Sequence, residues 1–404
     1  MKNLLKKAES YLNLLCEDIS ERCVGSEGNR RATRFAGEIF RNFGWETDLP
    51  EFQAMDWIDG GASLNVAERS FEVLVSPYSL GFEGSGKLLE ASTIRQLEQL
   101  DAKDKIILLH GEIAKEQLMP KGFVFYNPEE HQKIIRLIEE SGAKALISAT
   151  GRNAALAGGV YPFPLIEDGD VNVPSIYMTE EEGEKLLSCV GEIATIRSIS
   201  DRVYGPGYNV IATKGPKDTG KIVISAHIDA KKGTPGAIDN ATGVIVLFLL
   251  AELLKDHHGK HRIELVAFNG EDYYAVPGQM LYVQQNMKQF GNMLININID
   301  GAGYYRGGSV FSFFDLPEKL RETANSVLKH YPEINEGIQW VQGDHSIFVQ
   351  FGVPAIAVTS EWFMKNIDDQ DITHTPKDNP SIVNIASLVD VAHAIADVIR
   401  EGFA

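Results

Sequence analysis

The sequence predicts an α/β fold with a largely parallel central sheet, helices on both of its faces, and a smaller β-rich domain inserted into the chain. Three observations lead there. From about Tyr208 onward, short runs that are apolar at nearly every position alternate with helical stretches, as strands covered on both faces do. From about Gly60 to Ser200, short β-rich runs are separated by glycine and acidic loops. The chain is 404 residues long, too much for one ordinary core at about 150 residues per domain.

Taken in chain order, the elements follow from periodicity. Leu4, Leu5, Ala8, Tyr11, Leu12 and Leu15 form one stripe at helical spacing, and Ala32, Phe35, Ala36, Ile39 and Phe40 form another, so two amphipathic helices open the chain. Gly25-Ser26-Glu27-Gly28 reads as the turn between them, with Asn29 as the expected cap. The domains expected are residues 1–59 and 201–404 for a larger catalytic unit in two parts and 60–200 for the insert. Within the insert, Lys105 to Leu109, Ala145 to Ser148 and Pro174 to Met178 read as strands and Pro128 to Ser141 as a helix. Gly205-Pro206-Gly207 reads as a hinge leading back.

Beyond it, Ile222 to Ala226, Ile263 to Phe268, Leu294 to Ile299 and Ala355 to Val358 are the strands. Val244 to Lys255, Gly278 to Gln289, Pro317 to Lys329 and Ala386 to Arg400 are the helices between and after them. Val244 to Leu254 is apolar almost all round, which marks a buried core helix.

Composition narrows the function. With 44% hydrophobic and 23% charged residues the chain is that of an ordinary globular protein. Its 38 basic and 56 acidic residues give a net charge of −18, which disfavours nucleic acid and anionic membranes as partners. The cysteines, Cys16, Cys23 and Cys189, have no paired spacing, so neither a disulfide framework nor a cysteine-held zinc is expected. The lysines at the start lead into Ala8, Glu9 and Ser10 rather than an apolar stretch, so no signal peptide is visible and a cytoplasmic location is expected, unless a leader has been trimmed. The longest apolar run, Val244 to Ala251, is far short of the roughly 20 residues a membrane span needs.

The chemistry stands where strands end. In open α/β sheets ligands bind beyond the carboxyl ends of the strands, and here those ends run into His227-Ile228-Asp229, Asn269-Gly270-Glu271-Asp272 and Asp300-Gly301. Carboxylates crowded on one rim repel each other and resist ionisation unless cations neutralise them. Three aspartates and a hydroxide carry as much negative charge as two divalent cations carry positive. The imidazoles favour zinc, cobalt or manganese over magnesium or calcium. Asp239-Asn240 also stands where a helix cap belongs. Asp344-His345-Ser346 has the residue types of a hydrolase triad, but no Gly-x-Ser-x-Gly elbow accompanies it.

In this order the motifs resemble the M28 zinc aminopeptidases. The pattern is His227-Ile228-Asp229, then Asp239-Asn240-Ala241-Thr242-Gly243, then Phe268-Asn269-Gly270-Glu271-Asp272, then Asp300, then His374-Thr375-Pro376-Lys377-Asp378. The resemblance implies a zinc-exopeptidase fold and two zinc ions per chain, with cobalt or manganese as substitutes. It assigns His227 and Asp300 to one ion, Asp272 and His374 to the other, and Asp239 to a bridge between them. It makes Glu271 the general base acting on a water shared by the ions, and Asp229 a catalytic auxiliary that orients His227. The acid pair departs from the family's more frequent Glu-Glu, so Asp272 reaches one methylene less far.

The insert resembles a protease-associated domain through Lys105-Ile106-Ile107-Leu108-Leu109, Ser141-Gly142-Ala143-Lys144-Ala145 and Val173-Pro174-Ser175-Ile176. The expected activity is therefore removal of the N-terminal residue of peptides. Two alternatives share the fold: a glutaminyl-cyclase-like acyl transferase with a single zinc, and a receptor-like binding protein with an inactive peptidase domain. Retention of His227 and Asp300 favours two metals and hydrolysis. Carboxypeptidase or deacylase activity is also compatible with the architecture.

Overall fold

A computed structural model describes residues 2–19, 21–123, 126–217 and 219–403. The chain divides into two units, Met1–Ala54 with Pro206–Ala404, and Met55–Gly205. The boundaries therefore fall at 54/55 and 205/206, a few residues from the 59/60 and 200/201 that composition suggests. The reason is that two long strands, Glu51–Val66 and Ile193–Tyr208, run without a break across them. Gly205-Pro206-Gly207 is accordingly the end of a strand and not a hinge loop.

The larger unit is built on an eight-stranded sheet. Its strands are β1 (Glu46–Asp48), β2 (Val210–Lys214), β3 (Lys221–His227), β4 (Arg262–Phe268), β5 (Met293–Ile299), β6 (Ser309–Phe314), β7 (Ile334–Glu336) and β8 (Ala355–Ser360). Its helices are α1 (Lys2–Asn13), α2 (Glu27–Asn42), α3 (Thr242–Leu253), α4 (Pro277–Asn286), α5 (Glu318–Leu328), α6 (His345–Gln350), α7 (Glu361–Asn366) and α8 (Ile385–Gly402).

In space the strands run β1-β2-β4-β3-β5-β8-β6-β7. The four central ones, β4, β3, β5 and β8, are mutually parallel, while β2 pairs antiparallel with β4 and β6 with β8. The sheet is thus mixed at its edges and parallel where it is deepest. From β3 the chain passes to β4 on one side, and from β5 it continues to strands on the other. The crevice between the carboxyl ends of β3 and β5 is therefore the topological switch point, where such sheets take ligands.

Both faces are covered, as continuous apolar strands require. On β4, Ile263, Leu265 and Ala267 enter one large core with α1, α2, α3, α5 and α8. Phe268, on the other set of alternating positions, stacks edge-on against Tyr282 of α4, which meets Phe348 of α6. Glu264, also on that face, stays buried because Tyr282 donates to it at 2.6 Å and Lys221 pairs with it at 2.9 Å. Every residue of α3 from Thr242 to Ala251 is buried, so this helix fills the core. The first helix pair forms where its stripes predict, but Ser26, not Asn29, caps α2 by accepting from the Asn29 amide at 3.0 Å.

The smaller unit has its own eight-stranded sheet, in the order Arg69–Phe71, Glu51–Val66, Ile193–Tyr208, Phe82–Ala91, Ile106–Leu109, Ala145–Thr150, Ser175–Thr179, Leu74–Val75. Phe82–Ala91 through Ser175–Thr179 are parallel, with helices Glu129–Glu140 and Glu180–Leu187 among the connections. Among the described residues no helix is long and apolar enough to cross a membrane.

Candidate metal centre

His227 is the last residue of β3 and Asp300 the first beyond β5. The pairing of β3 with β5, with Ser225 opposite Asn298, brings the two side by side at the switch point. His227 Nε2 lies 3.6 Å from Asp300 Oδ1 and 3.1 Å from Asp239 Oδ1. On the far side of Asp239, His374 Nε2 lies 3.1 Å from Asp239 Oδ2 and 3.0 Å from Asp272 Oδ1. Asp239 thus presents one oxygen to each imidazole.

Three overlapping donor sets result, His227 with Asp239 and Asp300, Asp239 with Asp272 and His374, and His227 with Glu271 and Asp272; in each the ligand atoms lie within 4.8 Å of one another. Both nitrogens of His227 and Oδ2 of Asp272 are buried without a hydrogen-bond partner, although His227 Nε2 comes within 3.1 Å of a carboxylate. Buried polar atoms left unpaired are costly, and a cation held between them removes that cost. Imidazole and carboxylate with no thiolate suit zinc, cobalt or manganese. The residues present fit two divalent ions with Asp239 shared.

Glu271 differs from its neighbours. Its Oε2 stands 4.0 Å from His227 Nε2, and its side chain is 27% exposed, against 18% for Asp300, 15% for Asp239 and 5% for Asp272. Most of it is buried, yet it is the least buried carboxylate of the cluster, whereas Asp272 is turned inward.

The loops that carry these groups are held through their backbones. Asp229 accepts from the Gly270 amide at 2.7 Å and the Glu271 amide at 3.3 Å through Oδ1, and from the Asp272 amide at 2.9 Å through Oδ2. Its distance to His227 Nδ1 is 3.7 Å, longer than a hydrogen bond, so the geometry makes it first an anchor for the acid pair. Asp378 does the same for the bridge, accepting from the Ile238 amide at 2.6 Å and the Asp239 amide at 3.0 Å.

Asn240, not Asp239, takes the cap-like role: its Oδ1 accepts from the Gly243 amide at 3.0 Å while its Nδ2 donates to Ile299 O at 2.8 Å. His374 has φ 63, in the left-handed region that costs a non-glycine residue on the order of 1–3 kcal/mol. Turn bonds from Thr375 N to Ile372 O and from Asp378 N to Thr375 O hold it there.

The charges balance closely. Burial works against both imidazolium ions. Even so, Asp229, Asp239 and Asp300 hold His227 well above its ordinary pKa, and Asp272 with Asp239 does so for His374. Burial, with Asp272 and Asp300 adding to it, pushes Glu271 well above the carboxylate range; burial and Asp239 push Asp272 up. Burial pushes Asp239 up as well, but the two imidazoles outweigh it and hold this carboxyl far below the usual range. Divalent cations held here would replace the imidazolium protons in this balance and reverse its local logic.

The Asp344-His345-Ser346 triad does not assemble. Asp344 accepts from Gln279 Nε2 at 2.9 Å, His345 Nε2 lies 2.9 Å from Trp340 O, and Ser346 donates to Gly343 O at 2.9 Å. The loop nevertheless borders the centre, since a Cβ on Gly343 would stand 3.3 Å from Asp300 Oδ2. Burial pushes Asp344 and Asp378 each up to about 7; the resemblance implies a supporting loop at Asp344-His345, whereas Asp378 stands in its motif without an assigned role. Arg22, which packs behind the His227 loop, gave no sequence signal of any kind.

Aminopeptidase YwaD of Bacillus subtilis is 24% identical over 307 residues, covering 74% of this chain and 62% of that protein. Carboxypeptidase Q of Bos taurus is 22% identical over 416 residues, covering 96% of this chain and 84% of that one. The chain therefore spans less than two thirds of YwaD. In structure it is similar to the aminopeptidase from Aneurinibacillus sp. strain AM-1, with a TM-score of 0.76, 19% identity, and coverage of 98% and 93% of the two chains. It is also similar to the Bacillus subtilis zinc aminopeptidase BSAP, with a TM-score of 0.74, 19% identity and 98% and 94% coverage. Residues 209–399 match peptidase family M28. That segment supplies both imidazoles and the carboxylates of the donor sets around them.

Proposed function

We propose that the chain is a two-metal aminopeptidase that hydrolyses the N-terminal residue of peptides. His227 and Asp300 would hold one divalent ion and Asp272 and His374 the other, with Asp239 shared between them. Zinc is the expected metal, since the solved neighbour BSAP is described as a zinc aminopeptidase and the donor types suit that ion. What supports two ions rather than one is Asp239, with Oδ1 3.1 Å from one imidazole and Oδ2 3.1 Å from the other. A single-zinc acyl transferase has no use for that duplication, and an inactive binding domain has no reason to keep it.

When bound, the ions supply Lewis acidity to the scissile carbonyl and to the attacking water. The chain's residues do the rest. Glu271 takes the water's proton at its carboxylate and delivers it to the leaving amine. Asp229 fixes the direction of Glu271 by holding the amides on either side of its side chain. The inserted unit, placed between the two parts of the larger one, is read as a protease-associated-like domain.

Carboxypeptidase Q, matched along 96% of this chain, gives a specific reason to test the direction of cleavage. The experiment uses purified protein, metal analysis and paired peptides, one blocked at the N-terminus and one amidated at the C-terminus. Two metals per chain and cleavage of only the C-terminally amidated peptide are expected, with activity lost on chelation and restored by zinc, cobalt or manganese. Cleavage of only the N-terminally blocked peptide makes the chain a carboxypeptidase; full turnover with metal verified absent overturns the metallopeptidase reading.

A further inference from the structure

The turn between α1 and α2 lies far from residues 209–399 in sequence, yet it grips two of the loops that carry the metal centre. Arg22 is 2% exposed. Its Nε donates to Ile228 O at 3.0 Å, Nη1 to Leu15 O at 2.6 Å and Pro235 O at 2.8 Å, and Nη2 to Gly236 O at 2.7 Å. Ile228 directly follows His227, and Pro235 and Gly236 stand just before Asp239. One guanidinium therefore ties together both ends of the loop that separates two metal ligands.

The same turn reaches the acid pair. Asn29, fully buried in the first turns of α2, exchanges two hydrogen bonds with Asn269, at 2.7 and 2.9 Å, and donates to Arg22 O at 2.9 Å. Asn269 stands two residues before Glu271. The fit is tight: a Cβ on Gly28 would fall 1.8 Å from Glu21 O, and one on Gly236 would fall 2.9 Å from Arg22 Nη2. The planar, five-donor fork of arginine suits carbonyls that converge from three segments, and a lysine ammonium cannot span them.

We propose that Arg22 is a positioning residue of the metal centre. It fixes the separation of His227 and Asp239, while Asn29 fixes the Glu271-Asp272 loop against the same turn. The proposal rests on the two-metal reading. It predicts that metal affinity, and not merely stability, depends on a side chain that touches neither metal nor substrate.

The test uses the full chain, stripped of metal and titrated with Co²⁺. Affinity is read by chelator competition, ligand geometry by the visible spectrum of the cobalt protein, and stability by melting of the metal-free form. Arg22→Lys is expected to bind the His227–Asp300 ion about 10- to 100-fold more weakly, as loss of an outer partner does, with altered cobalt bands and a fall in kcat at little change in KM. In Arg22→Gly, added methylguanidinium is expected to restore at least half of that loss on a logarithmic scale.

Unchanged cobalt affinity and spectrum in a folded variant, even with lowered melting, overturn the proposal and leave Arg22 a packing residue. If neither Arg22 variant folds, Asn29→Ala, which removes no charge, is read in the same way. A weakened Asp272–His374 ion supports the clamp, and unaltered affinity overturns it. Failure of the unmodified chain to bind cobalt at all removes the two-metal reading itself, which distinguishes the two failures.

Discussion

The two halves of the metal centre are built in different ways. His227 and Asp300 sit at the ends of adjacent parallel strands, and the register of β3 and β5 fixes them. Asp272 and His374 sit on loops, four residues past the end of β4 and within the 370–379 turn, where no strand register applies. There the chain uses dedicated polar residues instead: Asp229 holds the amides of Gly270 and of both members of the acid pair, and the turn bonds of residues 372–378 hold His374. Asp239, on a loop clamped by Asp378, joins the two halves. A ligand at a strand end is placed by packing of the whole sheet, whereas a loop ligand is only as well placed as its few hydrogen bonds.

The largest expected effect removes the join. Asp239→Ala takes one ligand from each ion, so both metals should be weakened together and turnover should become undetectable. Metal analysis after dialysis against a weak chelator checks this, and retention of one tight ion would show that the halves are independent sites.

A smaller effect separates the neighbouring acids. Glu271→Gln keeps size and hydrogen bonding but removes the basic site, so both metals should remain while kcat falls about 10²–10⁴-fold, the usual share of a general base. Asp272→Ala should instead release the loop-held ion. Should Glu271→Gln lose a metal while Asp272→Ala keeps both, the two roles are exchanged.

The same contrast explains what the sequence discloses. Strand-end ligands are legible because their strands, such as Ile222 to Ala226, are unbroken apolar runs with a polar residue at the end. The loop ligands are legible only as short motifs, and Asp272 stands where the related enzymes more often place glutamate. The clamps are harder still. Arg22 donates to main-chain carbonyls, which leave no mark in sequence, and Asp378 serves amides that any residue would present.

The strand Ile193–Tyr208 escaped for a different reason. Its buried positions include Ala194, Ile196 and Ser198, while Ile193 and Ile199, which look like core, are 59% and 45% exposed. With isoleucines on both faces and a small and a polar residue inward beside Ile196, hydrophobicity does not follow the alternation that marks a half-buried strand, and the domain boundary that crosses it is blurred as well.

The smallest expected effect tests the comparison most finely, because Asp229 touches both halves. In sequence it stands two residues from His227 and was expected to orient that imidazole; in the structure its oxygens accept from the amides of residues 270, 271 and 272, and His227 Nδ1 is 3.7 Å away. Asp229→Asn leaves one acceptor oxygen and turns an NH₂ group toward an amide that needs an acceptor, so the 270–272 loop loses part of its anchorage. Affinity for the loop-held ion should then fall by about 10- to 100-fold, and by more than affinity for the ion at the strand ends. Stepwise removal of zinc by a graded series of chelators, followed on the variant and the unmodified chain side by side, measures the two constants separately. If the ion at His227 and Asp300 is the one that loosens first, Asp229 acts through the imidazole after all, and a strand-end ligand depends on its neighbours as much as a loop ligand does.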